Sequence, residues 1–358
     1  MSDIKLRVLT PHRWMHYGKW RSPEVPANAS FNYVVGKVAW PWVGPAQFYL
    51  HWYPNLAKVL KEFKPDVIDL WEEHWSLVSA HTIWLRNCML PNAKIIAETE
   101  QNINKKLPPP FEQFRSYTLK HADLVVARNS EAVDVVQSKG YTGPMEVVPN
   151  AVDDELFRPM DKEACRSALG LSGFVAGYVG RIVEEKGLMD MVEALALCPS
   201  GVRLLFVGSG PFEEPLKKRI EQLGKTDQVQ FLPGQPLEKL PEIMNALDAL
   251  VLVSRTTSTW KEQFGRVIIE AHACETPVIG SSSGAIPDVV GEGGLIVPEG
   301  DAAAIAAAML QLQSNPEQCR RMGVAGLKQV KANYTWQQVA KRMHQIYARV
   351  LQPTSIAT

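Results

Sequence analysis

The chain has 358 residues, 46% hydrophobic and 21% charged, with 38 basic residues balanced by 38 acidic ones. That suits a globular protein long enough for two domains, and the zero net charge implies no polyelectrolyte partner such as nucleic acid. No apolar run of about 18 residues occurs, residues 1–20 are polar, and the five cysteines are odd in number without C-x-x-C pairing, so a cytoplasmic, reducing setting is expected.

Along the chain, the first strand is expected at Lys5–Leu9 and runs directly into Pro11-His12-Arg13-Trp14. A helix is expected at Tyr53–Glu62, then strands at Val67–Leu70, Lys94–Glu98 and Leu124–Ala127, a helix at Glu131–Ser138 and a strand at Glu146–Val148. The turn-rich segment Pro149-Asn150-Ala151-Val152-Asp153 closes this set and marks a domain boundary.

A second set follows, with strands at Phe174–Val179, Arg203–Val207, Gln228–Leu232, Ala249–Val253, Pro277–Gly280 and Leu295–Val297, then helices at Ala302–Gln313, Pro316–Lys331 and Trp336–Leu351. Thr335 and Gln338 form a capping box for the last helix. Short β-branched runs alternating with helices predict an α/β protein with parallel sheets covered on both faces. The expected organisation is a first Rossmann-like domain over 1–149, a second domain over 150–334, and a helix over 335–358 returning to the first domain. Ligands of such sheets bind beyond the carboxyl ends of the strands.

The most informative run is Glu262-Gln263-Phe264-Gly265-Arg266-Val267-Ile268-Ile269-Glu270. Gly265 lets the backbone turn, Arg266–Ala273 reads as an apolar helix, and Glu270 projects from its second turn while Glu262 stays in the loop. Eight residues of continuous helix would rise roughly 12 Å; a partly looped segment brings the carboxylates closer, with exposed helix-terminal amides between them for a pyrophosphate. This suits a nucleotide-sugar held at three points. Two acids eight apart also fit an ordinary solvated face.

Three further runs accompany it: Gly177-Tyr178-Val179-Gly180-Arg181 with Lys186-Gly187; Val148-Pro149-Asn150-Ala151-Val152-Asp153 ending in Phe157-Arg158-Pro159; and Phe206-Val207-Gly208-Ser209-Gly210-Pro211. Together they resemble family 4 of the retaining glycosyltransferases, of GT-B fold, from about Ala122 to Leu351. Arg181 and Lys186 sit where two cations can take a diphosphate, or belong to a solvated loop balanced by Glu184 and Glu185.

The resemblance implies a catalytic set of Glu262, Arg181, Lys186 and Glu100. It implies that 1–149 is the acceptor-side domain and 150–334 the nucleotide-sugar donor domain, with a donor pocket at Gly180, Gly208, Gly210, Pro236, Phe264, Gly265, Val267 and Glu270. The reaction implied moves a hexosyl unit from a UDP-, GDP- or ADP-sugar to a hydroxyl of a saccharide or lipid-linked acceptor, in glycolipid or polysaccharide assembly, with no cofactor. No metal is implied, since the cations do the charge work and no Asp-x-Asp follows an apolar strand.

The chain also departs from the family. Relatives open with a strand, a glycine-rich loop and a helix, which Pro11-His12-Arg13-Trp14 does not match; this leaves open a missing first strand–helix unit and a silent nucleotide-sugar-binding protein as the alternative. Glu100 stands where many relatives carry a histidine, and Trp71-Glu72-Glu73-His74 forms another strand end. Eight of the ten tryptophans (Trp14, Trp20, Trp40, Trp42, Trp52, Trp71, Trp75, Trp84) lie in the first quarter. With Arg13, Lys19 and Arg21 they fit peripheral contact with the inner membrane face, sugar stacking, or core packing. Glu275 replaces a glycine expected after the Glu270 helix, at a local cost in stability, and His272 reads as structural.

Overall fold

The computed structural model describes residues 3–16, 19–25, 31–40 and 46–352. Trp42 lies outside them. The chain divides into two compact units, one of Met1–Ala127, Ala132–Val147 and Gln345–Thr358, the other of Arg128–Glu131 and Val148–His344.

The first unit contains β1 (Arg7–Pro11), β2 (Trp14–His16), β3 (Lys19–Arg21), β4 (Asn32–Gly36), α1 (Gln47–Leu50), α2 (Leu56–Phe63) and β5 (Val67–Leu70). It continues with α3 (Leu77–Met89), β6 (Lys94–Thr99), α4 (Phe111–His121), β7 (Leu124–Ala127), most of α5 (Ser130–Ser138) and β8 (Met145–Val147). Strands β5-β6-β7-β8 form a parallel sheet in that order. Burial of nearly every residue of β6 and β7 is what a parallel sheet covered on both faces requires.

Strand β1 lies two residues beyond the expected start and pairs in parallel with β4; between them β2 and β3 form an antiparallel hairpin. The sequence reading did not anticipate that hairpin or β4. Helix α2 begins three residues later than expected because Tyr53–Asn55 forms a turn, and it ends at Lys64 in left-handed conformation (φ 50°).

The second unit holds α6 (Lys162–Leu169), β9 (Phe174–Val179), α7 (Leu188–Ala196), β10 (Val202–Val207), α8 (Glu213–Gln222), β11 (Val229–Leu232), α9 (Leu240–Ala246) and β12 (Ala249–Leu252). After these come α10 (Arg266–Ala273), β13 (Val278–Ser281), α11 (Ile286–Val290), β14 (Gly294–Val297), α12 (Ala302–Ser314), α13 (Pro316–Asn333) and α14 (Trp336–Leu351), the last shared between the units. Its six strands are all parallel, in the order β11-β10-β9-β12-β13-β14.

Every residue of β9, β12 and β13 is buried, and one large apolar cluster including Tyr178, Phe206, Leu188, Met191 and Ile268 fills both faces of the sheet. The strand order reverses between β9 and β12. That topological switch point opens a crevice at the carboxyl ends of the two strands, where ligands of doubly wound sheets bind.

The division falls at Val148, one residue before the expected connector, and four residues around Asn129 go with the second unit. Helix α14 divides after His344; its last turns pack on the first unit, where the Tyr347 hydroxyl donates to Asp69 Oδ2 at 2.7 Å and Arg349 pairs with Glu146 at 2.7 Å. Among the described residues no helix is long and apolar enough to cross a membrane, and all five cysteines are free thiols.

Candidate functional site

The site grows out of the switch point. The loop leaving β9 runs beside the loop leaving β10, with Gly180 N–H donating to Val207 C=O at 2.9 Å and Ile182 N–H to Ser209 C=O at 3.0 Å. A Cβ on Gly208 would overlap the Gly180 carbonyl, and one on Gly210 the Ile182 carbonyl. Glycine is therefore demanded here by two loops in contact, independently of any ligand. A short 3₁₀ turn, Glu184–Lys186, then ends at Gly187, whose own Cβ would overlap the Val253 carbonyl. That contact presses the β9 loop onto the end of β12.

The side chain delivered across the crevice is Lys186. Its Nζ lies 2.7 Å from Glu262 Oε2, in a largely buried ion pair joining the two loops that diverge at the switch point. The Ser254 hydroxyl donates to the same oxygen at 2.9 Å. Glu262, not Glu184 or Glu185, thus holds the lysine among the pairs seen here. Arg181 is exposed on the same loop, its carbonyl accepting from the Tyr178 hydroxyl at 2.7 Å.

Two residues after Glu262 the Phe264 ring enters the core, edge-on to Tyr334 at 5.9 Å, leaving only its backbone for a ligand. The Gln263 carbonyl accepts from Asn129 Nδ2 at 2.7 Å, which steadies the same loop. Gly265 adopts φ 78°, a left-handed conformation costly for other residues, and turns the chain into α10. The helix has the expected bounds, and Ile268 N–H is bonded back to Gly265 C=O at 2.8 Å. The amides of the first turn, with Val267 partly buried beside them, form the positive end of the helix dipole.

Glu270 follows on the second turn. Burial pushes its carboxyl above the ordinary range, with Arg266 pulling the other way. Two residues on, His272 is fully buried, with Nε2 on the Gly293 carbonyl at 3.2 Å, and burial lowers it to about 4. Its ring fills the space over Gly293 and Gly326, so it is a packing residue of α10. Pro236 is exposed on the loop after β11, at the same end of the sheet but two strands from β9. Among the described residues no group of three or more potential metal ligands occurs.

In the first unit, Glu100 follows the carboxyl end of β6. Its N–H donates to Glu73 Oε1 at 2.9 Å, and the Thr99 hydroxyl donates to Glu73 Oε2 at 2.7 Å, so a carboxylate from the end of β5 sets the loop that carries Glu100. Glu72 meets His51 Nε2 at 3.2 Å. The tryptophans separate: Trp75 is buried, Trp71 is 68% exposed, and Trp20, Trp40 and Trp84 are also exposed. The Arg13 guanidinium lies over the Trp20 ring at 4.6 Å.

Adjacent stretches match two family models, "Glycosyltransferase Family 4" over residues 4–156 and "Glycosyl transferases group 1" over residues 161–329. The chain belongs to glycosyltransferase family 4.

Relatives of this family 4 chain include a D-inositol 3-phosphate glycosyltransferase of Segniliparus rotundus, 36% identical over 60% of this chain and 49% of the relative. A 2-deoxystreptamine N-acetyl-D-glucosaminyltransferase of Streptomyces fradiae is 33% identical over 61% and 53% respectively. The chain thus spans about half the length of the curated relatives it matches. Among solved structures, a sucrose-phosphate synthase of Thermosynechococcus elongatus aligns with TM-score 0.73 at 22% identity, covering 96% of this chain and 88% of that one. Anabaena Alr3699/HepE, solved with UDP and glucose, aligns with TM-score 0.69 at 19% identity, covering 89% and 86%. The fold of this family 4 protein is GT-B.

Sequence reasoning singled out Lys186, Glu262 and Glu270 but not Ser254, which donates to Glu262, or Trp260, whose ring centroid lies 4.7 Å from Lys186 Nζ. Ser254 follows β12, a position that only the tertiary approach of the β9 loop makes significant.

Proposed function

We propose that this protein is a retaining, metal-independent glycosyltransferase that moves a hexosyl unit from a nucleoside diphosphate sugar to an acceptor hydroxyl. The observation that carries this reading is the Lys186–Glu262 pair at the switch point, directly ahead of the α10 amino terminus and of Glu270. A donor would take Lys186 and Arg181 on its diphosphate, Glu262 on the sugar hydroxyls, the Phe264–Val267 backbone between them, and Glu270 on the ribose.

Catalysis on this account is charge stabilisation. Negative charge develops on the diphosphate as the glycosidic bond breaks, and Lys186 and Arg181 offset it; they supply the charge a divalent ion would otherwise bring. Front-face attack, with the leaving phosphate accepting the acceptor's proton, gives retention. In the first unit we assign Glu100, held by Glu73, to acceptor hydroxyls. The relatives named above act on an inositol phosphate and on 2-deoxystreptamine, which supports a polyhydroxylated ring as acceptor. Glycolipid or polysaccharide assembly is the setting we favour, with Trp20 and Arg13 available for peripheral membrane contact.

The test is nucleoside diphosphate release from a panel of UDP-, GDP- and ADP-sugars in the presence of a chelator. One donor class should be turned over, and Glu262→Ala should lower its turnover by about 100-fold or more. Tight nucleotide binding with no release from any donor would favour a silent binding protein instead.

A further inference from the structure

The eight residues ahead of Glu262 belong to none of the motifs that mark the family, yet they are tied down repeatedly. Arg255 donates its N–H to the Glu185 carbonyl at 2.8 Å and its Nε to buried Asp190 at 2.6 Å. Thr256 donates its N–H and hydroxyl to Glu299 at 2.6 and 2.7 Å. Thr257 and Trp260 then close on each other: Thr257 N–H donates to the Trp260 carbonyl at 2.8 Å, and Trp260 N–H to the Thr257 hydroxyl at 2.9 Å. Residues 257–259 at the tip are exposed. The outcome is a fixed position for one side chain: the Trp260 ring has its centroid 4.7 Å from Lys186 Nζ.

Lys186 is therefore gripped by a carboxylate, Glu262, and by an aromatic face. An ammonium over an indole is attracted by the ring quadrupole, and more strongly when partly removed from water, as Lys186 is at 16% side-chain exposure. The two grips differ once an anion arrives. A diphosphate competes with Glu262 for the same ammonium protons, whereas the neutral ring does not compete and keeps its hold.

We propose that Trp260 is the positioning residue for the donor phosphates, holding the Lys186 ammonium in place while its hydrogen bonds pass from Glu262 to the diphosphate and Glu262 becomes available to the sugar. This rests on the donor reading of Lys186 given above. The aromatic face is the active feature. A phenylalanine preserves it, while a leucine preserves bulk alone.

The experiment is a double-mutant cycle on kcat/KM for the donor, using the full chain as wild type, Trp260→Leu, Lys186→Ala and the double variant, with thermal melts confirming that each is folded. Where turnover falls below detection, the same cycle is read in nucleoside diphosphate affinity. Trp260→Leu should lose about tenfold, mostly in donor KM; the double variant should be no worse than Lys186→Ala; and Trp260→Phe should recover most of the loss. Equal losses from Trp260→Leu with and without Lys186, or no loss at all, would overturn the proposal while leaving the donor reading standing. An unaffected Lys186→Ala enzyme would overturn both.

Discussion

Glu270, which we propose binds the donor ribose, illustrates at the scale of one residue how such a group can oppose stability. Its carboxyl, partly buried on α10, is held above the ordinary range by desolvation, so the unfolded chain gives up this proton more readily than the folded protein does. Native stability therefore falls as pH rises from the unfolded carboxylate value through the folded one. Glu270→Gln is predicted to raise the melting temperature at neutral pH, with the gain disappearing near about pH 4, where both forms are largely protonated. The same variant should bind nucleoside diphosphate more weakly. Paired melts at the two pH values, with a nucleotide titration, check both halves, and a melting temperature unchanged or lowered at neutral pH would contradict the assignment. The pairing of Lys186 with Glu262 was not readable in the sequence, because 76 positions separate the two residues and only strand order brings them together. Both residues stand out in their local motifs; the neighbouring Gly208 and Gly210, placed at the donor pocket by resemblance, are also required by contact between the two loops, which local sequence does not reveal.

At the scale of elements, helix α10 was legible to the residue: an apolar run bounded by a glycine ahead and a break behind leaves little choice. Its far end carries the anticipated misfit. Glu275 N–H returns to His272 C=O at 3.1 Å and Thr276 N–H to Ala271 C=O at 3.0 Å, while Glu275 itself adopts φ 56°, the left-handed position where glycine is usual. A side chain there costs about 1 kcal/mol, part of which the greater unfolded-state freedom of glycine cancels. Glu275→Gly is expected to stabilise the protein by about 0.5 kcal/mol, read as a shift in urea midpoint at constant m value; a destabilised variant would mean that the Glu275 side chain makes contacts outweighing the strain. Strands of the second unit were read almost to the residue, since strands of a parallel sheet covered on both faces appear as near-continuous apolar runs. The β2–β3 hairpin and β4 escaped because three- to five-residue strands among prolines and aromatics have too few positions to show a period.

The whole molecule gains its chemistry from strand order, a property with no local signature. Alternation of strands and helices predicts parallel sheets, and the observed order β11-β10-β9-β12-β13-β14 then determines which two loops part company and form the crevice. The first unit was less legible because its sheet pairing is divided between β1-β4 and β5 to β8, with a β2–β3 hairpin between β1 and β4 that has no sequence signal of its own. Its exposed tryptophans at strand ends and helix faces give sequence no means of separating sugar platforms from membrane anchors. The central claim concerns the second unit: the crevice between the β9 and β12 loops is a nucleoside diphosphate site. The measurement that tests it most directly is calorimetric titration of UDP, GDP and ADP, in the presence of a chelator, into the wild-type protein, Lys186→Ala and Glu270→Gln. The account predicts that one nucleotide binds the wild type and that each substitution weakens it by about tenfold or more; an affinity unchanged in both variants would contradict it.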